Sequence, residues 1–414
     1  MIHLRRISRL VLLCLVSIFC ITVPVYAASF EHAVRVNNLF GLRMGYLLNA
    51  MNGGAGFAFS PFSIVPTLGM VYEGSDGATK ESFETTMQFN DSFSEQWRNM
   101  WQAIQDKGID LGVVSANRVW VSDLLKLYPE YQWRLEQYYG ADAQTLNFAD
   151  NPTQSCDTIN QWTAERTLGR IPTIIDSLEP DTSMVLTNAV HFKSDWVIQF
   201  EPEDTTNSTF HVTDSKSIKI PMMNAENEFP YTEMDFKTES GEIQHLQLLA
   251  MPYRNKMYML LALPEKINGA DALLQHLHFM SENGTDITDM WKGSLQLRKV
   301  HVQLPKFKIE SAFKLNHPLA HLGLTEMFSL NANFSRMFDS PERVHVDKVL
   351  HKTFIEVDET GTEAAAATAA IMRKTSALMM ELPPYFIADR PFLYFIIDDV
   401  TGAILFAGKQ NFMY

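Results

Sequence analysis

The sequence predicts an α+β protein, because helical patterns dominate its first half and strand patterns its second half. In the first half, apolar residues recur at helical spacing, as at Trp97, Trp101 and Ile104. In the second half, the run from Met184 to Lys193 is almost continuously apolar, which indicates a strand buried on both faces. With 46% hydrophobic and 20% charged residues, the chain can bury a large core and is not disordered.

The individual elements follow in chain order. Helices are expected from residue 28 to about 51, from Pro61 with Ser60 as N-cap, from Gly77, and around Trp97. Strands are expected near Phe57 and at 113–121, 184–193, 246–249, 257–263 and 300–304, with a terminal hairpin of 392–400 and 403–408. No linker divides the chain, so we expect one domain.

The N-terminus has the pattern of a cleavable signal peptide. Three arginines precede an apolar run from Leu10 to Val23, and the small residues Ala27 and Ala28 follow. The run of about 14 residues is short for a membrane span, which needs about 20, although an uncleaved anchor is the alternative. We therefore expect a signal peptide at 1–27 and a mature domain at 28–414, secreted or, in a bacterium, periplasmic.

The mature chain is acidic and holds one cysteine. Loss of the three arginines changes the net charge from -14 to -17, which argues against nucleic acid or an anionic membrane as partner. Only Cys156 remains, and we interpret it as a half-buried structural residue, since no Cys/His/Asn signature surrounds it. Four sequons, at Asn90, Asn207, Asn283 and Asn333, would carry sugars only in a host that glycosylates exported proteins.

Motifs for ordinary enzyme chemistry are missing. The sequence has no G-x-S-x-G, H-E-x-x-H, Walker or Rossmann pattern. His276 and His278, two residues apart, would point to different sides of a helix and are a poor metal site. We therefore expect neither an enzyme nor a bound metal or cofactor.

The segment from Glu359 to Ser376 is the most unusual part of the chain. Between Ala364 and Ala370 every residue is alanine except Thr368. Alanine favours helices and is depleted in strands, so an extended conformation here would oppose local preference. Conflicts of this kind often mark functional segments.

This segment and a series of other motifs resemble the serpins over nearly the whole mature chain. The motifs, in the order found in that family, are Ser60-Pro-Phe-Ser63, Gly77-Ala-Thr79, Ala116-Asn117, Ile159-Asn-x-Trp162, Thr187-Asn188-Ala-Val-His-Phe-Lys193 with Trp196, Ile220-Pro-Met-Met223, Leu304-Pro-Lys-Phe-Lys308, His351-Lys352, Glu359-x-Gly-Thr-Glu-Ala364 and Arg390-Pro-Phe-Leu393. The resemblance implies three β-sheets, about nine helices and an exposed reactive-centre loop at about 359–386. It also implies a suicide inhibitor: a protease cleaves the loop, is held as an acyl-enzyme, and is displaced as the loop inserts into the central sheet.

The first part of the loop would be the hinge that enters the sheet. The hinge residues are Glu359, Gly361, Thr362, Glu363, Ala364, Ala365, Ala366, Ala367 and Thr368. A strand entering a packed sheet cannot bring bulky or charged side chains into the core, and the alternating set beginning at Thr362 is small throughout. Gly361 would supply backbone freedom. The alternative, an exposed helix, predicts more Lys and Glu.

The cleaved bond is placed by counting. Counting forward from Gly361 as in inhibitory serpins gives Thr375-Ser376. Gly361 and Pro391 are 30 residues apart, a few more than usual, and counting backward from Pro391 gives about Met380. Cleavage after Lys374 or Arg373 would imply a trypsin-like target, and cleavage at Met380 a chymotrypsin-like or elastase-like one.

The resemblance assigns supporting roles elsewhere. Ser60, Ser63, Asn188 and His351 would form the shutter beneath the central sheet, and Trp196 would lie at the breach where the loop first enters. The partner would be a serine protease, with a cysteine protease as the alternative, and the inhibitor would be a monomer. No basic cluster surrounds Trp97, so activation by heparin-like polyanions is not expected. The alternatives are a non-inhibitory serpin acting as carrier, chaperone or storage protein and, more remotely, a secreted hydrolase.

Overall fold

A computed structural model describes residues 30–108, 110–338, 343–362 and 382–413. The expected signal peptide at 1–27 and the part of the expected loop at 363–381 lie outside the described residues.

Nine α-helices lie in the described part of the chain. They are α1 Glu31–Met51, α2 Pro61–Gly74, α3 Gly77–Met87, α4 Phe93–Gln105, α5 Pro129–Tyr139, α6 Pro152–Arg166, α7 Gly269–Glu282, α8 Ile287–Ser294 and α9 Asn316–Leu322. Six of them precede residue 167, as the early helical patterns predicted. The helices expected from the sequence correspond to α1–α4, and α5, α6, α7, α8 and α9 were not among them.

The strands are concentrated in the second half. They are β1 Phe57–Phe59, β2 Val113–Ser122, β3 Ala143–Leu146, β4 Met184–Phe192, β5 Ser194–Asp195, β6 Thr206–Thr213, β7 Lys216–Lys237, β8 Ile243–Pro252, β9 Met257–Pro264, β10 Gln296–Pro305, β11 Phe307–Lys314, β12 Lys348–Val357, β13 Gly361–Thr362, β14 Tyr385–Ile387, β15 Phe392–Asp398 and β16 Ile404–Gln410. The α+β prediction is confirmed, including the terminal hairpin of β15 and β16.

Nine strands form one hydrogen-bonded network around the long strand β7. Their order is β1-β16-β15-β9-β8-β7-β10-β14, and β6 also pairs with β7. The first part of β7 pairs with β6, its middle with β10, and its last part with β8. Because β7 is 22 residues long, it belongs to two groups of strands at once. Its first and middle parts lie with β6, β10 and β14, and its last part lies with β8, β9, β15, β16 and β1. These two groups and the second network make up the three expected sheets.

The second network contains the seam on which the site depends. Its order is β3-β2-β4-β12-β13-β5, with β11 on the other side of β12. β4 and β12 are parallel neighbours, with residues 348–354 of β12 opposite 185–191 of β4. We call the line between these two strands the seam. If two parallel strands separate, a third strand that runs antiparallel to both can pair with each of them.

Both faces of β4 are covered, which explains its continuous apolar run. All nine of its residues are buried. On one face, Val185 packs in a cluster with Ile159 of α6, and on the other, Leu186 packs in the cluster that contains Ile64 of α2. The buried helix α2 therefore lies behind the seam.

Local chemistry fixes where α2 begins. Ser60 has an extended backbone, and its Oγ accepts a hydrogen bond from the backbone N–H of Ser63 at 3.1 Å. Pro61 occupies the first helical position, where its missing N–H costs nothing. The predicted N-cap is confirmed, and it places Ser60 and Ser63 directly beneath the seam.

Candidate functional site

The described part of the hinge already lies within the sheet. Thr362 pairs with Val357 of β12, while Gly361 and Thr362 pair with Asp195 and Ser194 of β5. Both pairings are antiparallel, and both hinge residues are buried. The chain thus begins a new strand between β12 and β5, at the end of the seam.

Gly361 is required by a close approach of two backbones. A Cβ at this position would overlap the carbonyl of Ser194 and lie 2.6 Å from Cα of Asp195. Gly361 is not among the residues with positive φ. The strand therefore fits beside β5 because Gly361 has no side chain, a requirement separate from the backbone freedom expected of a hinge.

Thr362 is fastened to an aromatic pair, and we call Thr362, Tyr253 and Trp196 the latch. The Oγ1 of Thr362 and the hydroxyl of Tyr253 share a hydrogen bond at 2.7 Å. The Tyr253 ring stacks on Trp196 with centroids 4.2 Å apart. Burial raises the pKa of Tyr253 well above its ordinary value, so the hydroxyl remains protonated. All three residues are buried, which gives the hinge a defined position.

Trp196 also holds the turn that leads into β13. Its indole N–H donates to the carbonyl of Asp358 at 3.0 Å, and its backbone N–H donates to the carbonyl of Thr360 at 2.9 Å. The Asp358 carboxylate accepts from the backbone N–H groups of Thr360 and Gly361. Trp196 therefore lies where the hinge meets the sheet.

Glu359 anchors the same turn from its other side. Its carboxylate lies 2.6 Å from the ammonium of Lys306 and accepts a hydrogen bond from Thr205 Oγ1 at 2.8 Å. Burial raises the pKa of Glu359, but the hydrogen bonds from Lys306 and Thr205 outweigh this effect and hold the pKa below its ordinary value. The carboxylate is therefore charged at neutral pH.

Sequence reasoning missed four partners of the hinge. They are Asp358, Thr205, Tyr253 and Lys306. Asp358 could have been found, because an aspartate two residues before Thr360 is the pattern of an Asx-turn. The other three are distant in the sequence, and nothing in their local pattern indicates the contact.

The four residues proposed for the shutter lie together behind the seam. The Nδ2 group of Asn188 on β4 donates to Ser63 Oγ on α2 at 2.6 Å and to Thr67 Oγ1 at 3.1 Å. The same group lies 2.7 Å from Asn117 Oδ1 on β2. We call this set and its two partners from β12, His351 and Thr353, the shutter network.

His351 connects β12 to the network as a neutral imidazole. Its Nδ1–H donates to Asn188 Oδ1, and its Nε2 accepts from the backbone N–H of Ser60 at 3.1 Å and from Thr353 Oγ1 at 2.7 Å. Burial lowers the pKa of His351 from 6.5 to about 3. The network thus joins β2, β4 and β12 to α2 through hydrogen bonds that cross the seam.

The proposed cleavage site and most of the hinge belong to the segment 363–381. The residues Glu363, Ala364, Ala365, Ala366, Ala367, Thr368, Arg373, Lys374, Thr375, Ser376 and Met380 lie outside the described residues. After this segment, Leu382 is 90% exposed, and the chain continues into β14 at the edge of the nine-stranded network. No helix in the described ranges is long and apolar enough to cross a membrane.

Acid should destabilise the folded chain through His351. As the pH falls, the unfolded chain binds the proton first, because its histidine titrates near 6.5 and the folded one near 3. The contribution of neutral His351 to the free energy of unfolding is complete above pH 6.5. It is lost between pH 6.5 and about 3, by roughly 1 kcal/mol per pH unit. Thermal unfolding across this range should show a shallower pH slope for His351→Asn than for wild type.

The matched control is Thr67→Val, which also removes a hydrogen bond from the shutter network but no titrating group, and should keep the wild-type slope. An unchanged slope in His351→Asn would contradict the assignment.

Comparisons with known proteins agree with this geometry. The family model described as "Serpin (serine protease inhibitor)" matches residues 35–411. Glia-derived nexin of Rattus norvegicus is 36% identical over 361 residues, covering 85% of this chain and 86% of the nexin. Leukocyte elastase inhibitor of Sus scrofa is 31% identical over 393 residues, covering 92% and 99%. The solved structure of native protease nexin-1 with heparin has a TM-score of 0.78 at 29% identity and covers 92% of this chain and 99% of that one. The chain belongs to the serpin family.

Proposed function

We propose that this serpin is an exported suicide inhibitor that acts as a monomer, with serine proteases as its first target class and cysteine proteases as the second. The protease nucleophile attacks the carbonyl at the cleaved bond, which we place at Thr375-Ser376, and the new amino terminus of Ser376 leaves. The hinge then inserts along the seam and carries the acylated protease with it. Distortion of the protease active site before water reaches the ester leaves the complex trapped.

The observation that carries this proposal is the position of β13. It runs antiparallel to both of its neighbours and points along the seam between β4 and β12. A chain that continues past Thr362 in the same direction would pair with both strands of the seam. About 14 inserted residues at about 3.3 Å each would move the attached protease by about 45 Å.

The hinge composition supports insertion. Thr362 has no exposed surface, so its side chain marks the face of the inserted strand that enters the core. By alternation, Ala364, Ala366, Thr368 and Ala370 would share that face, and all four are small. A carrier or storage serpin has no need for this pattern, since its loop need not enter the sheet.

Insertion would exchange interactions rather than only break them. Opening the seam breaks the pairing of 348–354 with 185–191 and the shutter hydrogen bonds between Asn188 and His351. A new central strand forms ladders on both sides, so about one additional ladder of hydrogen bonds is gained, at about 1 kcal/mol for each bond. The buried alanine face adds to this gain.

The main test is formation of a covalent complex. With at least one of a panel of trypsin-, chymotrypsin- and elastase-like enzymes, we expect a band that resists SDS. Its mass should be the sum of inhibitor and protease less the C-terminal fragment, which cleavage leaves unattached and SDS releases. Mass spectrometry of the released C-terminal fragment should place its first residue at Ser376. Cleavage without any complex across the panel would contradict the inhibitory function while leaving the family assignment intact.

Thr362→Arg should convert the inhibitor into a substrate. An arginine here would put a charge into a site with no exposed surface, which costs several kcal/mol. We expect cleavage at an unchanged rate and at least about a tenfold loss in the fraction of protease trapped.

The control is Glu363→Arg, which alternation places on the opposite face of the inserted strand, and which should retain most of the inhibition. If Thr362→Arg still trapped protease as wild type does, insertion through this face would be wrong.

Heparin should not accelerate the inhibition, although protease nexin-1 was solved with heparin. The charged residues of α4 are Glu95 and Arg98. Arg98 Nη2 lies 3.5 Å from Glu95 Oε1, so the two form an ion pair and α4 carries no excess of positive charge. We expect rate constants within about twofold with and without heparin. A large acceleration that disappears at high salt would contradict this expectation.

A further inference from the structure

Two histidines lie one helical turn apart on the exposed side of α9. His317 and His321 are both exposed, and their ring centroids are 6.5 Å apart with planes inclined by 19°. Residues four apart in a helix are surface neighbours. This spacing is that of the two zinc-binding histidines in H-E-x-x-H, but without the glutamate between them. The motif search therefore passed over the pair.

The helix that carries the pair is held at both ends. At the first end, the Leu315 N–H donates to Val349 O at 2.8 Å, and Asn316 Oδ1 accepts from Val349 N–H at 3.0 Å. At the other end, Leu324 N–H donates to Leu319 O at 3.0 Å, and both leucines are fully buried. Only the two exposed side chains would have to become ordered on binding a ligand, so the cost in conformational entropy is small.

His321 lies within electrostatic range of His278 on α7, but no side chain among the described residues holds either imidazole of the pair. Within the described ranges, neither His317 nor His321 makes a hydrogen bond or an ion pair. His321 lies in the last turn of α9, where the backbone carbonyls favour positive charge. The chain as a whole carries a net charge of -14, which also favours the approach of a cation.

The chemistry of the pair selects the class of ligand. Neutral imidazole nitrogens bind Zn²⁺, Ni²⁺ and Cu²⁺, with Zn–N distances of about 2.0–2.1 Å, whereas Ca²⁺ and Mg²⁺ prefer oxygen ligands. We propose that His317 and His321 form a surface chelate site for a divalent transition-metal ion. In the described part of the chain, no group of three or more His, Cys, Asp and Glu side chains is placed to hold a metal. The protein therefore supplies two ligands and water the remaining ones.

Titration calorimetry of the full chain, purified without a histidine tag, tests this site with Zn²⁺ and Ni²⁺. We expect saturable binding of Ni²⁺ by wild type. His317→Gln and His321→Gln should each weaken the affinity by about tenfold or more, because the remaining imidazole no longer has a second ligand held beside it. Ca²⁺ should not bind there. Far-UV circular dichroism should be unchanged, since both side chains are exposed.

The matched control is His211→Gln on β6, whose imidazole hydrogen-bonds Ser217 Oγ at 3.0 Å and has no histidine one helical turn away. This variant should bind Ni²⁺ as wild type does. Equal affinity of wild type, His317→Gln and His321→Gln would overturn the proposal, as would an equal loss in His211→Gln or no saturable binding by wild type. The readout is independent of protease inhibition.

Discussion

The parallel pairing of β4 and β12 is the constraint on which the rest of this molecule depends. Two parallel neighbours can separate and accept one antiparallel strand between them, so that each backbone group again finds a partner. An antiparallel pair could not accept one strand antiparallel to both. The hinge, the glycine beside β5 and the buried helix behind the seam all have positions that make sense only in relation to this pairing.

The interactions that close the seam are largely polar, and this affects how it can open. Asn188 and His351 connect the two strands through a hydrogen bond, and each also bonds to α2. Such groups are costly when left unpaired in a buried site, so partial opening is disfavoured. Groups with several donors and acceptors can nevertheless exchange partners once a new strand arrives. An apolar contact of the same size would hold the strands together without offering this exchange.

Sequence reasoning succeeded where local chemistry decides the structure. Ser60 and Pro61 define the start of α2 by capping, and the apolar run defines β4 because both of its faces are covered. β13 could not be predicted in this way, since two residues, Gly361 and Thr362, have no strand pattern of their own. The pairing depends on residues more than 160 positions earlier, in β5.

The candidate site also contains residues that could be identified from the sequence and residues that only the structure reveals. The shutter residues and Trp196 came from the family resemblance, and their hydrogen-bond partners came only from the structure. Tyr253 is 109 positions from Thr362, and no periodicity relates the two. Its contact arises because the loop after β8 turns back beside β5, where Trp196 and Tyr253 form an isolated bridge.

The position of β14, β15 and β16 has a consequence for the integrity of the chain. These strands follow the proposed cleavage bond, yet β15 lies between β9 and β16, and β16 pairs with β1 near the beginning of the fold. Cutting the bond would leave the polypeptide in two pieces that share one core. The cut protein would migrate as a single particle until it is denatured. Once separated, the two pieces would lack the covalent connection that first brought the C-terminal strands into the centre of the network.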